Sequence, residues 1–401
     1  MKIRPIILCG GEGTRLWQKS FKNEPKQFIN FGGWTLIEKT LNRIKDPIFD
    51  YPIISTNLKY LKKIKFFLKK NKFSKYRILL EPVKRNTGPA VLSAALINDI
   101  PNNQPLLFLP SDHLLEKNNV FKKNLTKYSK YLNNKNIFLF GIKPDHPSKE
   151  YGYLNVKKVN GSLIKILKFI EKPSIKKARL LIKKNALWNS GMFFARKDSI
   201  VNNFKKFDNK TLKSCYLSIS KAKLTRNILR LNKKFFLDCR SNSFDYAILE
   251  KSSDINCIQL NLPWTDLGNW KEILKVFKNN KLKYFKKENV FKRPWGKYIN
   301  LFRGNNFLIK ELIVNSKSSI SLQKHNYRSE HWTVIQGKPR ITLNKKKFFV
   351  NEKQSIFIPV NTIHRIENFY TKPVKIMEAQ IGSILKESDI IRYKDIYGRI
   401  N

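Results

Sequence analysis

Acidic residues are scarce in this chain: 29 Asp and Glu stand against 80 Lys and Arg, a formal net charge of +51. Cysteine is scarcer still, four residues at Cys9, Cys215, Cys239 and Cys257, with no CxxC pair among them. That spacing offers neither a disulfide ladder nor a zinc knuckle and suits a reducing compartment. Long apolar runs are missing too. The stretch Ile6 to Cys9 is too short for a signal-peptide core, and nothing approaches the roughly 20 residues of a membrane span. The expectation is a soluble, cytoplasmic protein with no membrane partner. Its 401 residues leave room for two or three domains that each bury a core.

A large positive charge raises the question of nucleic acid. The lysines, however, are spread over nearly every polar segment, as in Lys62, Lys63, Lys122, Lys123, Lys176, Lys177 and Lys345 to Lys347, and form no single arm or tail. Arginine, which reads bases bidentately, is the minority cation. Lys, Asn, Ile and Phe are abundant together and share A/T-rich codons, so compositional drift accounts for the charge. A basic nucleic-acid-binding protein is the competing class, and the dispersion of charge argues against specific nucleic acid as a partner. Phosphate-bearing substrates would still be drawn in.

Residues 3 to 9, IRPIILC, read as a buried strand that runs into a glycine-rich turn and then a helix. Apolar runs follow at Pro52 to Ser55, Arg77 to Leu80, Leu106 to Leu109 and Ile137 to Phe140, separated by helical patterns such as Leu58 to Lys70 and Gly88 to Asp99. This alternation predicts an α/β fold with a Rossmann-like, mostly parallel, doubly wound sheet, whose ligands sit at the carboxyl ends of strands. From Trp295 the texture changes to short alternating segments (FLIKELIV, SISLQKH, WTVIQG, PRITL, SIFIPV, KIMEAQI), the pattern of an all-β barrel. The expected division is residues 1–275, a linker at 276–292, and a barrel at 293–401.

The loop GGEGTRLW, Gly10 to Trp17, lets backbone N–H groups close on a polyphosphate, and Arg15 adds a fork for phosphate oxygens. A tight strand-to-helix turn would show the same glycines. Other residues extend the pattern. Lys26 in EPKQF is a second cation for the phosphates. Asp112 in LPSDH follows an apolar strand, where a carboxylate can hold Mg²⁺, and Asp266 in PWTDLGNW would complete the site. Lys172 in EKP and Asn189 in WNSGMF would meet a sugar phosphate and its hydroxyls.

Taken with EPVKRNTGPA, YGYL and SFDYAILE, and further on RPWG, SLQKHNYRSEHW, IPVNTIHRIEN and DIYGR, these stretches resemble the mannose-1-phosphate guanylyltransferases, in the long bacterial form fused to a mannose-6-phosphate isomerase domain. The resemblance covers nearly the whole chain. It implies transfer of GMP from GTP to mannose 1-phosphate, giving GDP-mannose and pyrophosphate, with Arg15, Lys26, Asp112 and Asp266 as the catalytic set. Gly10, Gly11, Gly13, Thr14, Arg15 and Lys26 would hold the triphosphate. Glu81, Asn86 and Thr87 would border guanine, and Gly152, Glu171, Lys172 and Asn189 would surround the mannose phosphate. A nucleotidyltransferase for another base or hexose would look similar at the phosphate loop. The chain departs from the family pattern at Gln18, Phe21 and Gly88, and it is shorter between Trp270 and Pro294.

In SLQKHNYRSEHWTVIQG, Gln323 and His325 share one strand face, Glu330 follows, and His364 comes after a later turn. The spacing resembles the two cupin motifs, with Gln323 where many cupins carry histidine. The implied ligands for Zn²⁺ or a similar divalent transition metal are Gln323, His325, Glu330 and His364, with Tyr327 excluded by the spacing. Such a site would serve the interconversion of mannose 6-phosphate and fructose 6-phosphate, with Arg365 a candidate for the enediolate or the substrate phosphate. A barrel kept for structure alone is the alternative, and the oligomeric state stays open.

Overall fold

The structure, a computed structural model, describes residues 1–11, 25–29, 34–158, 163–268, 289–303 and 307–398. It divides into two compact units, one of Met1–Ile29 with Trp34–Asp266 and one within Leu267–Asn401.

The strands of the first unit are β1 (Arg4–Leu8), β2 (Ile53–Asn57), β3 (Arg77–Glu81), β4 (Pro105–Pro110), β5 (Leu114–Leu115), β6 (Ile137–Ile142), β7 (Tyr153–Lys158), β8 (Ile164–Ile170), β9 (Leu187–Arg196), β10 (Lys223–Thr225), β11 (Ile228–Arg230), β12 (Ile255–Leu260) and β13 (Trp264–Thr265). Among the described residues the main sheet runs β10-β11-β3-β2-β1-β4-β9-β6-β12-β8-β7. Its central strands carry near-continuous apolar runs because both faces are covered. Consecutive residues go to opposite cores: Ile7, Ile54 and Leu107 pack on one side, and Ile6, Ile53 and Leu106 on the other.

Strands β3, β2, β1 and β4 are parallel, as the sequence predicts. Strand β9 departs from that reading, running antiparallel to both β4 and β6. The residues LWNSGMFFAR specify a buried strand but not its direction. Direction is set by where the chain returns after β7, β8 and the helix Ile175–Lys183. The reversal has a consequence for the site. The first residues of β9 lie beside the carboxyl ends of β4 and β6, with Phe108 opposite Phe193 and Gly141 opposite Asn189.

Local signals fix the helices. Thr35 and Glu38 form a reciprocal capping box ahead of the helix Leu36–Arg43, which buries Leu36, Ile37 and Leu41. Asn86 caps the helix Thr87–Ala95 from a left-handed backbone (φ 65°), its side chain accepting from Thr87 N. Pro89 is tolerated there because it falls in the first turn. The four cysteines are free and buried, yet Cys215 and Cys239, 24 residues apart, bring their sulfurs within 3.5 Å. No helix among the described residues is long and apolar enough to cross a membrane.

The second unit comprises β14 (Val290–Arg293), β15 (Gly296–Arg303), β16 (Phe307–Val314), β17 (Leu322–His325), β18 (Arg328–Gln336), β19 (Arg340–Leu343), β20 (Lys346–Phe349), β21 (Ser355–Ile358), β22 (His364–Glu367), β23 (Val374–Gly382) and β24 (Ile390–Lys394). Two antiparallel sheets, β14-β15-β16-β23-β18-β21 and β20-β19-β22-β17-β24, form the barrel walls. Trp295, Leu312, Val334, Ile341, Ile366 and Ile376 pack between them. Strand β14 begins inside the stretch expected as a linker, and its pairing with β15 makes Val290–Arg293 part of the barrel. Gly296 in RPWG has φ +141°, and a Cβ there would sit 2.1 Å from Ile313 O, so the turn admits only glycine.

Candidate active sites

A cleft of about 400 Å³ opens at the carboxyl ends of the parallel strands. Gly10 and Gly11 follow β1, Asn57 ends β2, Glu81 ends β3, and Ser111 and Asp112 follow β4. These positions flank the point where neighbouring strands leave β1 in opposite directions, the place where open α/β sheets bind ligands. Gln27 Nε2 donates to Gly11 O at 3.1 Å, tying the start of the glycine loop to the turn Lys26–Phe28. Gly13, Thr14 and Arg15, like Gln18 and Phe21, lie outside the described residues.

Lys26 is buried, and its Nζ pairs with Asp112 Oδ2 at 2.9 Å while donating to the backbone carbonyl of Asp266. Asp266, also buried, accepts from Tyr151 Oη at 2.9 Å through Oδ1. His113, beside Asp112, is held below its ordinary pKa by burial. One cation therefore links residues 240 positions apart in sequence. Asp112 lines the cleft with its carboxylate, whereas Asp266 meets Lys26 through its backbone carbonyl and its own carboxylate is held by Tyr151; both aspartates offer the hard oxygen donors that suit Mg²⁺.

Glu81, Asn86 and Thr87 line the cleft beside β3 and the helix that follows it. Ser55 Oγ donates to Glu81 Oε1 at 2.7 Å, and Phe244 N donates to Thr87 Oγ1 at 2.9 Å. Gly88 N donates to Asn242 O, and a Cβ at Gly88 would approach that oxygen to 2.8 Å, which is a reason for glycine at this position. Burial pushes the Glu81 carboxyl up to about 7, against the opposing hydrogen bond from Ser55. The folded chain thus binds a proton there that the unfolded chain, titrating near 4.5, releases. Stability from this group is complete below about 4.5 and is lost as pH rises through about 7. The melting temperature of the first unit should fall between pH 5 and pH 8, and Glu81→Gln should flatten that fall when melting is followed across the range.

On β9, whose Asn189 lines the cleft, Asn189 N donates to Gly152 O at 2.8 Å. A Cβ on Gly152 would come within 2.7 Å of Glu171 Oε2, so Gly152, Glu171 and Asn189 form one contiguous wall. Lys172 follows with a left-handed backbone (φ 42°) and pairs with Glu171 at 2.9 Å. Asp245 was given no role from sequence, although it lies in SFDYAILE. It is half-buried in the cleft wall and accepts from Asn189 Nδ2 at 3.2 Å. Burial, then the neighbouring Glu171, pushes its carboxyl up to about 6.

In the barrel, His325, Glu330 and His364 are buried with donor atoms all within 4.8 Å of one another. His325 Nε2 lies 3.0 Å from Glu330 Oε1, and His364 Nε2 lies 3.6 Å from Glu330 Oε2. Each ring's Nδ1 meets a backbone carbonyl, Asp389 O at 3.2 Å for His325 and Thr362 O at 2.8 Å for His364, so both Nε2 atoms face inward. His364 Nε2 is buried without a hydrogen-bond partner. That orphaned atom beside a second imidazole and a carboxylate fits a divalent transition metal.

Gln323 stands directly across from His364 on the neighbouring strand, its Oε1 accepting from Ser321 Oγ at 2.8 Å. Tyr327 is 55% exposed and Arg365 donates to Ile320 O and Ser319 Oγ, so neither side chain joins the cluster. Arg328, unassigned from sequence, does join it, donating to Glu330 Oε1 at 3.1 Å and to Asp389 Oδ2 at 3.3 Å. Burial alone would raise the Glu330 pKa, but His325, His364 and Arg328 hold it well below the usual carboxylate range. Burial lowers His364 to about 4.

The family profile described as nucleotidyl transferase matches residues 4–282, and that described as mannose-6-phosphate isomerase C-terminal matches residues 279–395. The alginate biosynthesis protein AlgA of Pseudomonas fluorescens is 30% identical, the alignment covering 98% of this chain and 96% of AlgA. The mannose-1-phosphate guanylyltransferase RfbM of Salmonella typhimurium is 29% identical, with 99% and 98% covered. The AlgA alignment runs over 469 positions, more than the 401 residues of this chain, so that relative carries segments this chain lacks. A crystal structure of mannose-6-phosphate isomerase from Helicobacter pylori superposes with a TM-score of 0.57 at 27% identity, over 66% of this chain and 100% of that one. With profile matches end to end along its length, the chain belongs to the nucleotidyl transferase family, in the form that carries a mannose-6-phosphate isomerase C-terminal domain.

Proposed function

We propose that this chain makes GDP-mannose from GTP and mannose 1-phosphate in residues 1–275, and interconverts mannose 6-phosphate and fructose 6-phosphate in residues 293–401. The observation that carries the first activity is Lys26, held between Asp112 and the backbone of Asp266 beside the glycine loop. The name of one relative, a mannose-1-phosphate guanylyltransferase, and the isomerase C-terminal profile over residues 279–395 support the same pair of activities.

A phosphate oxygen of mannose 1-phosphate attacks the α-phosphorus of GTP in line. A new P–O bond forms, the bond to the β-phosphate oxygen breaks, and pyrophosphate leaves with the electron pair. Backbone N–H groups of the loop after β1 and the Lys26 ammonium hold the triphosphate, while Glu81, Asn86 and Thr87 border the base. Asp112 and Asp266 would hold Mg²⁺, which supplies charge neutralisation between the phosphates. The protein's share of the rate comes from positioning and preorganised charge, with no covalent enzyme intermediate.

In the barrel, Gln323, His325, Glu330 and His364 would hold a divalent metal such as Zn²⁺, which supplies polarisation of the sugar carbonyl while a proton moves between C1 and C2 through an enediol. Cytoplasmic placement agrees with four free, buried cysteines. The dispersed lysines serve solubility and steering of phosphorylated substrates, with no specific nucleic acid.

Assaying the purified full chain for pyrophosphate release with GTP and mannose 1-phosphate, and separately for fructose 6-phosphate from mannose 6-phosphate, tests both activities. Absence of either product under Mg²⁺ and Zn²⁺ removes that half of the reading. A finer test concerns the sugar wall. Gly152→Ala places a methyl group against Glu171, so KM for mannose 1-phosphate should rise about tenfold, the effect of losing one good hydrogen bond to a charged group. KM for GTP should stay the same. A change in the GTP constant alone would move Gly152 out of the sugar wall.

A further inference from the structure

Glu330 of the metal-type cluster and Gln323 line a cleft in the barrel whose walls also carry Arg293, Arg328, Lys310 and Arg392. Two of these cations are already neutralised. Arg293 pairs with Glu387 at 2.6 Å, and Arg328 pairs with Glu330 and Asp389. Lys310 and Arg392 make no ion pair within 4 Å among the described residues, although the Lys310 charge is near enough to Glu378 and Glu387 to favour both carboxylates, and Arg392 Nε is buried without a hydrogen-bond partner. Lys310 Nζ rests over the Tyr298 ring, 4.7 Å from its centroid.

Register fixes where these two side chains stand. Arg392 on β24 pairs with Gln323 on β17, which pairs with His364 on β22, so the three form one cross-strand row sharing a face. Strands lie about 4.8 Å apart, which puts the Arg392 backbone roughly 10 Å from that of His364. Lys310 on β16 pairs with Glu378 on β23, which pairs with Trp332 on β18, a row on the opposite sheet that lines the same cleft. Arg365 follows His364 directly, so alternation turns it away from this face.

An unpaired guanidinium and an unpaired ammonium facing one cleft are suited to a dianionic group. The guanidinium offers a planar fork and the ammonium a point charge. We propose that Arg392 and Lys310 anchor the phosphate monoester of an open-chain hexose phosphate whose carbonyl end lies at the His325–Glu330–His364 cluster. The inference rests on the isomerase reading above and adds the subsite that selects phosphorylated over free sugar.

Arg392→Gln and Lys310→Gln in the metal-loaded full chain test it. Each should raise KM for mannose 6-phosphate about tenfold or more, the loss of a charge-assisted contact, with kcat within about threefold of the starting protein. Metal content and guanylyl transfer should be unchanged, and the inhibition constant for inorganic phosphate should rise in parallel with KM. An unchanged KM, or a fall in kcat accompanied by loss of metal, overturns the assignment.

The subsite also has a readout independent of turnover. Mannose 6-phosphate should raise the melting temperature of the parent protein more than inorganic phosphate does at equal concentration, and should raise that of the variants less. Equal shifts in parent and variants overturn the anchor, and equal shifts from the two ligands overturn its assignment to a sugar phosphate. If the parent protein fails to isomerise yet shows this pattern, the isomerase reading falls and the anion subsite stands.

Discussion

Replacing Asp112 by alanine should abolish GDP-mannose synthesis while leaving the interconversion of mannose 6-phosphate and fructose 6-phosphate untouched. Asp112 stands at the carboxyl end of β4, and its Oδ2 is 2.9 Å from the buried Lys26 ammonium. In the proposed site, removing it would take away a carboxylate oxygen for Mg²⁺ and the ion-pair partner of Lys26, so that the charge facing the triphosphate would no longer be positioned. Losses of this kind amount to several kcal/mol in the transition state, on the order of 10³-fold or more in rate. Pyrophosphate release measured beside fructose 6-phosphate formation on one preparation makes the isomerase the internal control for folding. Near-normal guanylyl transfer in a folded Asp112→Ala protein would take this residue out of the metal site.

The mirror-image result is expected in the barrel. His325→Ala should empty the metal site and remove isomerisation while guanylyl transfer persists. His325 is buried, and its Nε2 lies 3.0 Å from Glu330 Oε1. Without that imidazole, Glu330 keeps Arg328 but loses the partner that does most to hold its carboxyl ionised in a buried position. Weakening a buried charge cluster in this way costs about 3 kcal/mol, so the melting transition of the second unit should also drop. Tyr327→Phe is the companion variant. The tyrosine is 55% exposed, so metal content by elemental analysis should stay at the parent level. If Tyr327→Phe loses the metal while Gln323→Ala keeps it, the ligand set needs redrawing.

Much of the first site was legible because strand ends are local signals. An apolar run followed by a glycine loop or by Ser-Asp marks a carboxyl end, and Gly10 and Asp112 fall at such points in one sheet. Glu81, Asn86 and Thr87 came from the resemblance to the family and not from their local pattern, although Asn86 and Thr87 do stand at the start of a helix. Asp245 was not legible as a site residue. Its stretch SFDYAILE reads as ordinary amphipathic chain, and what gives the carboxyl its unusual proton affinity is burial beside Asn189 and Glu171, which come from distant segments. Arg328 was missed because an arginine inside a strand normally extends to solvent, whereas here it is buried against Glu330 and Asp389.

By itself the sequence determined the first parallel strands, where the glycine loop begins, the change to short alternating strands from Trp295, and the two-residue and five-residue spacings that set Gln323, His325 and Glu330 on β17 and β18. Those are properties of a few neighbouring residues, and periodicity records them. Only the tertiary structure decided that β9 runs antiparallel and so carries Asn189 to the carboxyl ends of its neighbours, and that Lys26 meets Asp266 across 240 residues. It alone brought Cys215 within 3.5 Å of Cys239, and set Arg392 and Lys310 unpaired on opposite walls of one cleft. Each of these depends on strand direction, register and burial, quantities that arise from the packing of distant segments and leave no periodic trace in the local pattern.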